Sequence, residues 1–207
     1  LDLASEMLAG ATMADVSTVL YFKVLQWAGY SRNIKVAAFE RMVETDGRTD
    51  ELHKSVAEAL PGATWDRVQN MPLAIDGLIP KIANEMYPAL FPEANSFSSS
   101  TDGFFQFEDQ RVQEMIDIVR SKSGKQNIIF IVDEVGQYVA SRDNLILNLD
   151  GLAKNLKRLG DGKVWIISTA QQTLTEDDPR AALNSDKLYK LKDRFPIQID
   201  LESSDIK

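Results

Sequence analysis

Val16, Val19, Leu20, Val24 and Trp27 recur at helical spacing, which places them on one face of a helix, and Gly29-Tyr30-Ser31 closes the run. Residues 34–43 continue in the same period, with Ala38, Phe39 and Met42 as the expected buried positions. Asp46-Gly47-Arg48-Thr49 is turn chemistry, and Thr49 or Asp50 is placed to cap a helix running to Leu60, where Pro61-Gly62 stops it. Thr64 opens a short helix carrying Trp65 and Val68. Pro72 suits the first turn of a further helix through Ile75, Leu78, Ile79 and Ile82, which Pro80 must kink or break. Pro88 and Pro92 end this helical half.

Residues 95–103 (NSFSSSTDG) are rich in Ser and poor in large apolar side chains, the composition of a linker. Residues 107–120 read as a helix with Val112, Met115, Ile116 and Val119 on one face. The period then changes. Residues 127–132 form an unbroken β-branched and aromatic run, the pattern of a strand buried on both faces. A helix over 145–159, a turn at 160–162 and a second such strand at 163–167 follow. A third strand is expected at 197–201, after a helix or turn over 180–191. Strand, helix, strand, helix, strand predicts a parallel α/β architecture, because parallel neighbours need crossover connections. The expected organisation is a helical region 1–94, a linker 95–103 and an α/β portion 104–207, with no internal repeat.

Composition narrows the chemistry. The 207 residues are 44% hydrophobic and 26% charged, the balance of a soluble globular protein, and runs such as 128–132 are far too short to span a bilayer. With 23 basic against 31 acidic residues the net charge is −8, which argues against direct DNA binding by this portion. The absence of cysteine excludes disulfides, thiolate zinc sites and cysteine nucleophiles, and the single His53 excludes a histidine cluster. Acid, hydroxyl and amide chemistry remains. The chain starts at Leu1 with neither Met nor a signal-peptide pattern and closes on polar residues 203–207. It reads as an excised piece of a longer polypeptide, with a processed but complete protein as the alternative.

In an open parallel sheet, ligands bind at the carboxyl ends of the strands. The first strand there delivers Asp133-Glu134, the second Ser168-Thr169-Ala170-Gln171-Gln172, and Asp193-Arg194-Phe195 precedes the third. Phosphoryl transfer needs such parts. Asp133 can hold Mg²⁺ directly or through water, and Glu134 can orient or polarise an attacking water. Thr169 or Gln171 can sense a terminal phosphate, and Arg194, or alternatively Arg180, can stabilise transition-state charge. Each feature also has a plain structural reading. An Asp-Glu pair often begins a solvated loop, and Arg194 can simply pair with Asp193. His53 reads as a surface residue, Trp27, Trp65 and Trp165 as core, and residues 176–178 as an acidic turn. The aromatic cluster Phe104-Phe105-Gln106-Phe107 reads as docking for the linker.

Residues 128–134 (IIFIVDE) resemble the Walker B motif of P-loop ATPases with its catalytic glutamate, as in the AAA+ group. VWIISTAQQ (164–172) resembles the sensor-1 strand that follows, and LKDRFPIQIDL (191–201) the arginine-bearing DRF box. The wider string IVDEVGQYV…NLDGLAKNLKRLGDGKVWIISTAQQ is similar to the large P-loop ATPase of BREX bacteriophage-resistance systems (the BrxC/PglY type). AAFERMVETDG (37–47) and Trp65 extend this likeness into the helical half. The resemblance implies that 104–207 is a partial P-loop ATPase core: a partial parallel sheet with Walker B, sensor-1 and following strands. It also implies ATP and Mg²⁺ as cofactors and a cytoplasmic bacterial or archaeal protein. The implied partners are other phage-defence proteins, among them a methyltransferase and an alkaline-phosphatase-like protein.

One departure matters. No G-x-x-x-x-G-K-S/T loop exists in the chain, and Ser123-Gly124-Lys125-Gln126 lacks both the earlier glycine and the final hydroxyl. In the family that loop and its strand precede the helical insertion, so they are expected upstream of Leu1. The isolated chain is then expected to bind ATP weakly and to hydrolyse essentially none. Loss of a central strand would also leave two unpaired edges, which predicts a rearranged sheet or self-association. The competing reading is a non-catalytic α/β protein-interaction module with degenerate acids, whose helical half binds partners. A phosphoreceiver domain is excluded, since only 207 − 133 = 74 residues and two further strands follow Asp133.

Overall fold

The helical period of the first half becomes a succession of short helices. They are α1 (Val16–Trp27), α2 (Ile34–Thr45), α3 (Thr49–Ala59), α4 (Trp65–Val68), a π-turn (Ala74–Leu78), α5 (Ile79–Met86), α6 (Ser96–Ser99) and α7 (Glu108–Ser123). The change of period yields β1 (Ile128–Val132), α8 (Val135–Val139), α9 (Asp143–Gly160) and β2 (Val164–Ser168). A computed structural model of the chain describes residues 1–3, 15–93, 95–99, 108–139, 142–169, 195–197 and 199. Among them the chain is mostly helical with a small parallel two-stranded sheet, an α/β protein. No helix among the described residues is long and apolar enough to cross a membrane.

The chain divides into two units, Tyr21–Ser123 and the pair of segments Leu1–Leu20 with Gly124–Lys207. This differs from the division 1–94, 95–103 and 104–207 suggested by composition. The helix α7 belongs with the preceding helices, and the first residues of the chain belong with the sheet. Part of the linker-like stretch is structured as well: Ser96–Ser99 is helical and Phe97 is fully enclosed in the helical core.

In the helical unit, Asn33 starts α2, its side chain accepting from the N–H groups of Lys35 (3.0 Å) and Val36 (3.3 Å). The start of α3 differs from expectation. Thr49 is its first helical residue, and Arg48 holds the cap position without a side-chain cap bond. Arg48 instead binds the Glu51 carboxylate through two nitrogens (2.7 and 2.6 Å) and donates to the Met86 carbonyl at the end of α5 (2.7 Å). Pro80 breaks nothing. The preceding turn widens so that the Ile79 N–H reaches the Ala74 carbonyl, and the proline sits in the first turn of α5, where its missing N–H has no helical partner to lose. Phe39 is the hub of the core, with edge-on contacts to Tyr87, Phe91 and Phe97 at ring-centroid distances of 6.1, 6.4 and 5.8 Å. Val36 and Ala37 are buried, whereas Ala38 and Met42 are only half-buried. Trp65 is core as expected, but Trp27 is exposed.

In the sheet unit, β1 and β2 pair in parallel with Ile128 opposite Val164 and Val132 opposite Ser168. The helix α9 is the crossover, burying Leu145, Ile146, Leu149, Leu152 and Leu156. Its end turns through Asp161 in the left-handed region (φ 50°). Ser17 and Asn148 exchange two hydrogen bonds, Ser17 N–H to Oδ1 at 3.0 Å and Nδ2–H to Ser17 Oγ at 2.9 Å. The strands are not buried on both faces. Ile128, Phe130 and Val132 are covered, while Ile129 and Ile131 on the other face are 58% and 56% exposed. Their neighbours across the ladder, Trp165 and Ile167, are each 49% exposed, so Trp165 is not core. Phe195, Pro196, Ile197 and Ile199 carry no regular structure, and both isoleucines are exposed, so the third strand is not seen at these positions. The rest of 197–201, the helix or turn at 180–191, the acidic 176–178 and the aromatic cluster 104–107 lie outside the described residues.

Candidate functional site

The parallel register decides what meets at the carboxyl ends of the strands. With Val132 opposite Ser168, the next residues, Asp133 and Thr169, become neighbours. Thr169 is tied at both backbone groups: its N–H donates to the Val132 carbonyl (3.0 Å), and its carbonyl accepts from Val135 N–H at the start of α8 (3.0 Å). The hydroxyl is thereby held against the turn between β1 and α8.

Glu134 makes that turn with φ 58°, a left-handed conformation that costs a non-glycine residue about 1–2 kcal/mol. The conformation aims its N–H at two acceptors, Asp133 Oδ1 (3.0 Å) and Thr169 Oγ (3.1 Å). The Thr169 hydroxyl in turn donates to Asp133 Oδ1. The result is a closed ring of hydrogen bonds joining Asp133, Glu134 and Thr169, three residues expected at the site. Asp133 and Thr169 are exposed and Glu134 is half-buried.

A second clamp comes from an unexpected segment. Even-numbered residues of β1 bond β2, as Ile128 N–H does to the Lys163 carbonyl (2.8 Å), so odd-numbered ones face the opposite edge. There the Leu1 nitrogen donates to the Ile131 carbonyl (2.9 Å), Asp133 N–H donates to the Leu1 carbonyl (2.7 Å), and Leu3 N–H donates to the Asp133 carbonyl (3.3 Å). Asp2 forms a parallel bridge with Asp133, and Leu3 is fully buried. Three residues at the chain start are too short a pattern to announce a strand. Their pairing occupies the end of the β1 edge that faces away from β2.

The donor set suits a hard cation only in part. Asp133 Oδ1 is committed to the ring, while Oδ2 takes no hydrogen bond among the described residues and belongs to an exposed residue. A single carboxylate oxygen with water and phosphate oxygens is a set that Mg²⁺ accepts, since it keeps several waters and dehydrates reluctantly. No group of three or more potential metal-ligating side chains occurs among the described residues, so these alone offer no enclosing cage there. Ser168 Oγ, one residue before Thr169, is buried without a hydrogen-bond partner. Gln171, Arg194 and Arg180 lie outside the described residues, and His53 is exposed on α3 as expected. No known family model matches the chain, and no solved structure does either.

Proposed function

We propose that this chain carries the acidic half of a phosphoryl-transfer site, and that the intact polypeptide is a P-loop ATPase of the BREX phage-defence type. The supporting observation is the Asp133–Glu134–Thr169 ring at the carboxyl ends of two adjacent parallel strands. Asp133 offers Oδ2 to Mg²⁺. The ion, when bound with ATP, neutralises phosphate charge. Glu134 directs its carboxylate to a water, its backbone having been fixed by Thr169 and Asp133. Thr169, or Gln171 two residues on, contacts the terminal phosphate, and Arg194 or Arg180 stabilises charge on it. The phosphate-cradling loop comes from elsewhere in the intact polypeptide, which works in the cytoplasm with other defence proteins.

The test is ATP turnover by the intact polypeptide. Glu134→Gln keeps nucleotide affinity and loses turnover about 100-fold or more, the usual scale for removing a general base. Asp133→Asn loses the Mg²⁺ dependence of nucleotide binding. Unchanged turnover in both variants would sink the ATPase reading.

A second reading, the non-catalytic interaction module, is favoured by the exposed apolar sheet face of Ile129, Ile131, Trp165 and Ile167. Large apolar side chains grouped on one exposed face are a feature of protein-contact surfaces. On that reading the acids are inert, and turnover is absent from the unsubstituted polypeptide as well.

A further inference from the structure

Glu40 is the one buried carboxylic acid among the described residues, 7% exposed on α2. It sits where three segments meet. Oε2 accepts the Ser31 N–H from loop 29–33 (2.8 Å), and Oε1 accepts the Trp65 indole N–H from α4 (2.6 Å). The charged groups acting on it are acids: Asp66 on α4 and Glu44 one turn along its own helix. Arg32, the only basic residue of the loop, is exposed, and its backbone N–H goes to Asn70 Oδ1 (2.7 Å). Tyr30 in the loop bonds Glu44 through its hydroxyl, and Lys122 on α7 is likewise engaged with Glu44 (2.8 Å).

The surrounding network is rich in acceptors. The Ser31 hydroxyl donates to the Gln69 carbonyl (2.7 Å) and accepts from Asn33 N–H (3.0 Å). The Gln69 side chain donates to the Gly29 carbonyl (3.3 Å), but its own Oε1 is buried with no donor. A charged carboxylate here is desolvated and faced by like charge, and only two N–H groups support it. A proton on Glu40 removes that charge.

We propose that Glu40 is a proton-operated latch: neutral, it holds loop 29–33 and α4 against α2, and charged, it loosens them. Burial raises its pKa to about 7, with Asp66 and Glu44 adding to the rise and the Ser31 and Trp65 bonds opposing it. When the loop and α4 open, Glu40 meets water and returns to the ordinary glutamate value of about 4.3. Between that value and about 7, opening releases one proton. The opening equilibrium therefore rises by about tenfold per pH unit over that window and is level outside it.

The test is hydrogen exchange at the Ser31 amide and the Trp65 indole in the full chain across this window, corrected for intrinsic exchange. The latch predicts protection that falls about tenfold per pH unit and then levels off, and a flat profile in Glu40→Gln. A flat profile in the unsubstituted chain, or the same slope in the variant, would overturn it. Should the variant fail to fold, the Glu40 carboxyl carbon is titrated by NMR in the unsubstituted chain. A midpoint near 7 supports the latch, and one below about 5 overturns it.

Discussion

The Glu134 N–H donates to Thr169 Oγ at 3.1 Å, so the hydroxyl just after β2 holds the left-handed residue in the turn after β1. The same hydroxyl donates to Asp133 Oδ1. One Thr side chain thus orients both acids of the candidate site without touching either by charge. Thr169→Val removes the acceptor and the donor together while keeping the shape. Because the site is solvent-accessible, the expected loss of stability is modest, about 0.5–1.5 kcal/mol in urea denaturation. Thr169→Ser retains the hydroxyl and recovers most of it. Equal losses in the two variants would mean that the methyl group, not the hydrogen bond, does the holding.

Glu134 keeps a backbone conformation that a glycine adopts freely. Glu134→Gly relieves about 1–2 kcal/mol of native strain and returns part of it as extra freedom of the unfolded chain. The variant is expected to be as stable as the unsubstituted chain or up to about 1 kcal/mol more stable, measured by thermal or urea unfolding. On the proposed ATPase reading, the intact polypeptide loses turnover along with the carboxylate. A variant that gains stability while losing activity identifies a position kept strained for function. A clear loss of stability would show that the Glu134 side chain holds the turn in place.

The outer sheet face separates two strand positions that look alike in sequence. Ile131 is 56% exposed and its neighbour Phe130 is buried against the other side. Ile131→Lys should change stability by no more than about 0.5 kcal/mol, whereas Phe130→Ala should cost about 3–5 kcal/mol. Chemical denaturation of the two variants side by side checks this. A large cost at Ile131 would mean that the face is covered in solution.

Much of the fold was legible because apolar period is a local property. The spacing from Val16 to Trp27 and the stops at Gly29 and Gly62 all sit within a few residues of what they control. The meeting of Asp133 and Thr169 was legible for a related reason: two apolar runs joined by a helix force a parallel pair, and the pair brings these residues side by side. What escaped depends on layers rather than neighbours. A β-branched run such as 128–132 has the same letters whether one face is covered or two. Trp27 lies on the helical stripe yet beyond the reach of the core. Glu40 shares the apolar period of α2, falling four residues after Val36 and three before Val43 on the buried face, but a lone acid there looks no different in sequence from a solvated one.

The end of α9 lies close against the start of β2. A Cβ on Gly160 would lie 2.5 Å from Val164 Cβ and 2.8 Å from its Cγ2. The Cγ2 can swing away about χ1, but the Cβ cannot yield, since it is fixed to the backbone of a paired strand residue. Gly160→Ala must therefore push α9 and β2 apart, and the expected cost is about 1–3 kcal/mol despite the better helix propensity of alanine. Val164→Ala leaves the Cβ–Cβ conflict in place but removes the two methyl groups, so the double variant should be more stable than the sum of the single costs allows. A coupling of about 0.5–3 kcal/mol in that direction, from a double-mutant cycle in urea, is the expected result. Strict additivity would show that the approach of the helix to the strand is looser than the 2.5 Å contact requires.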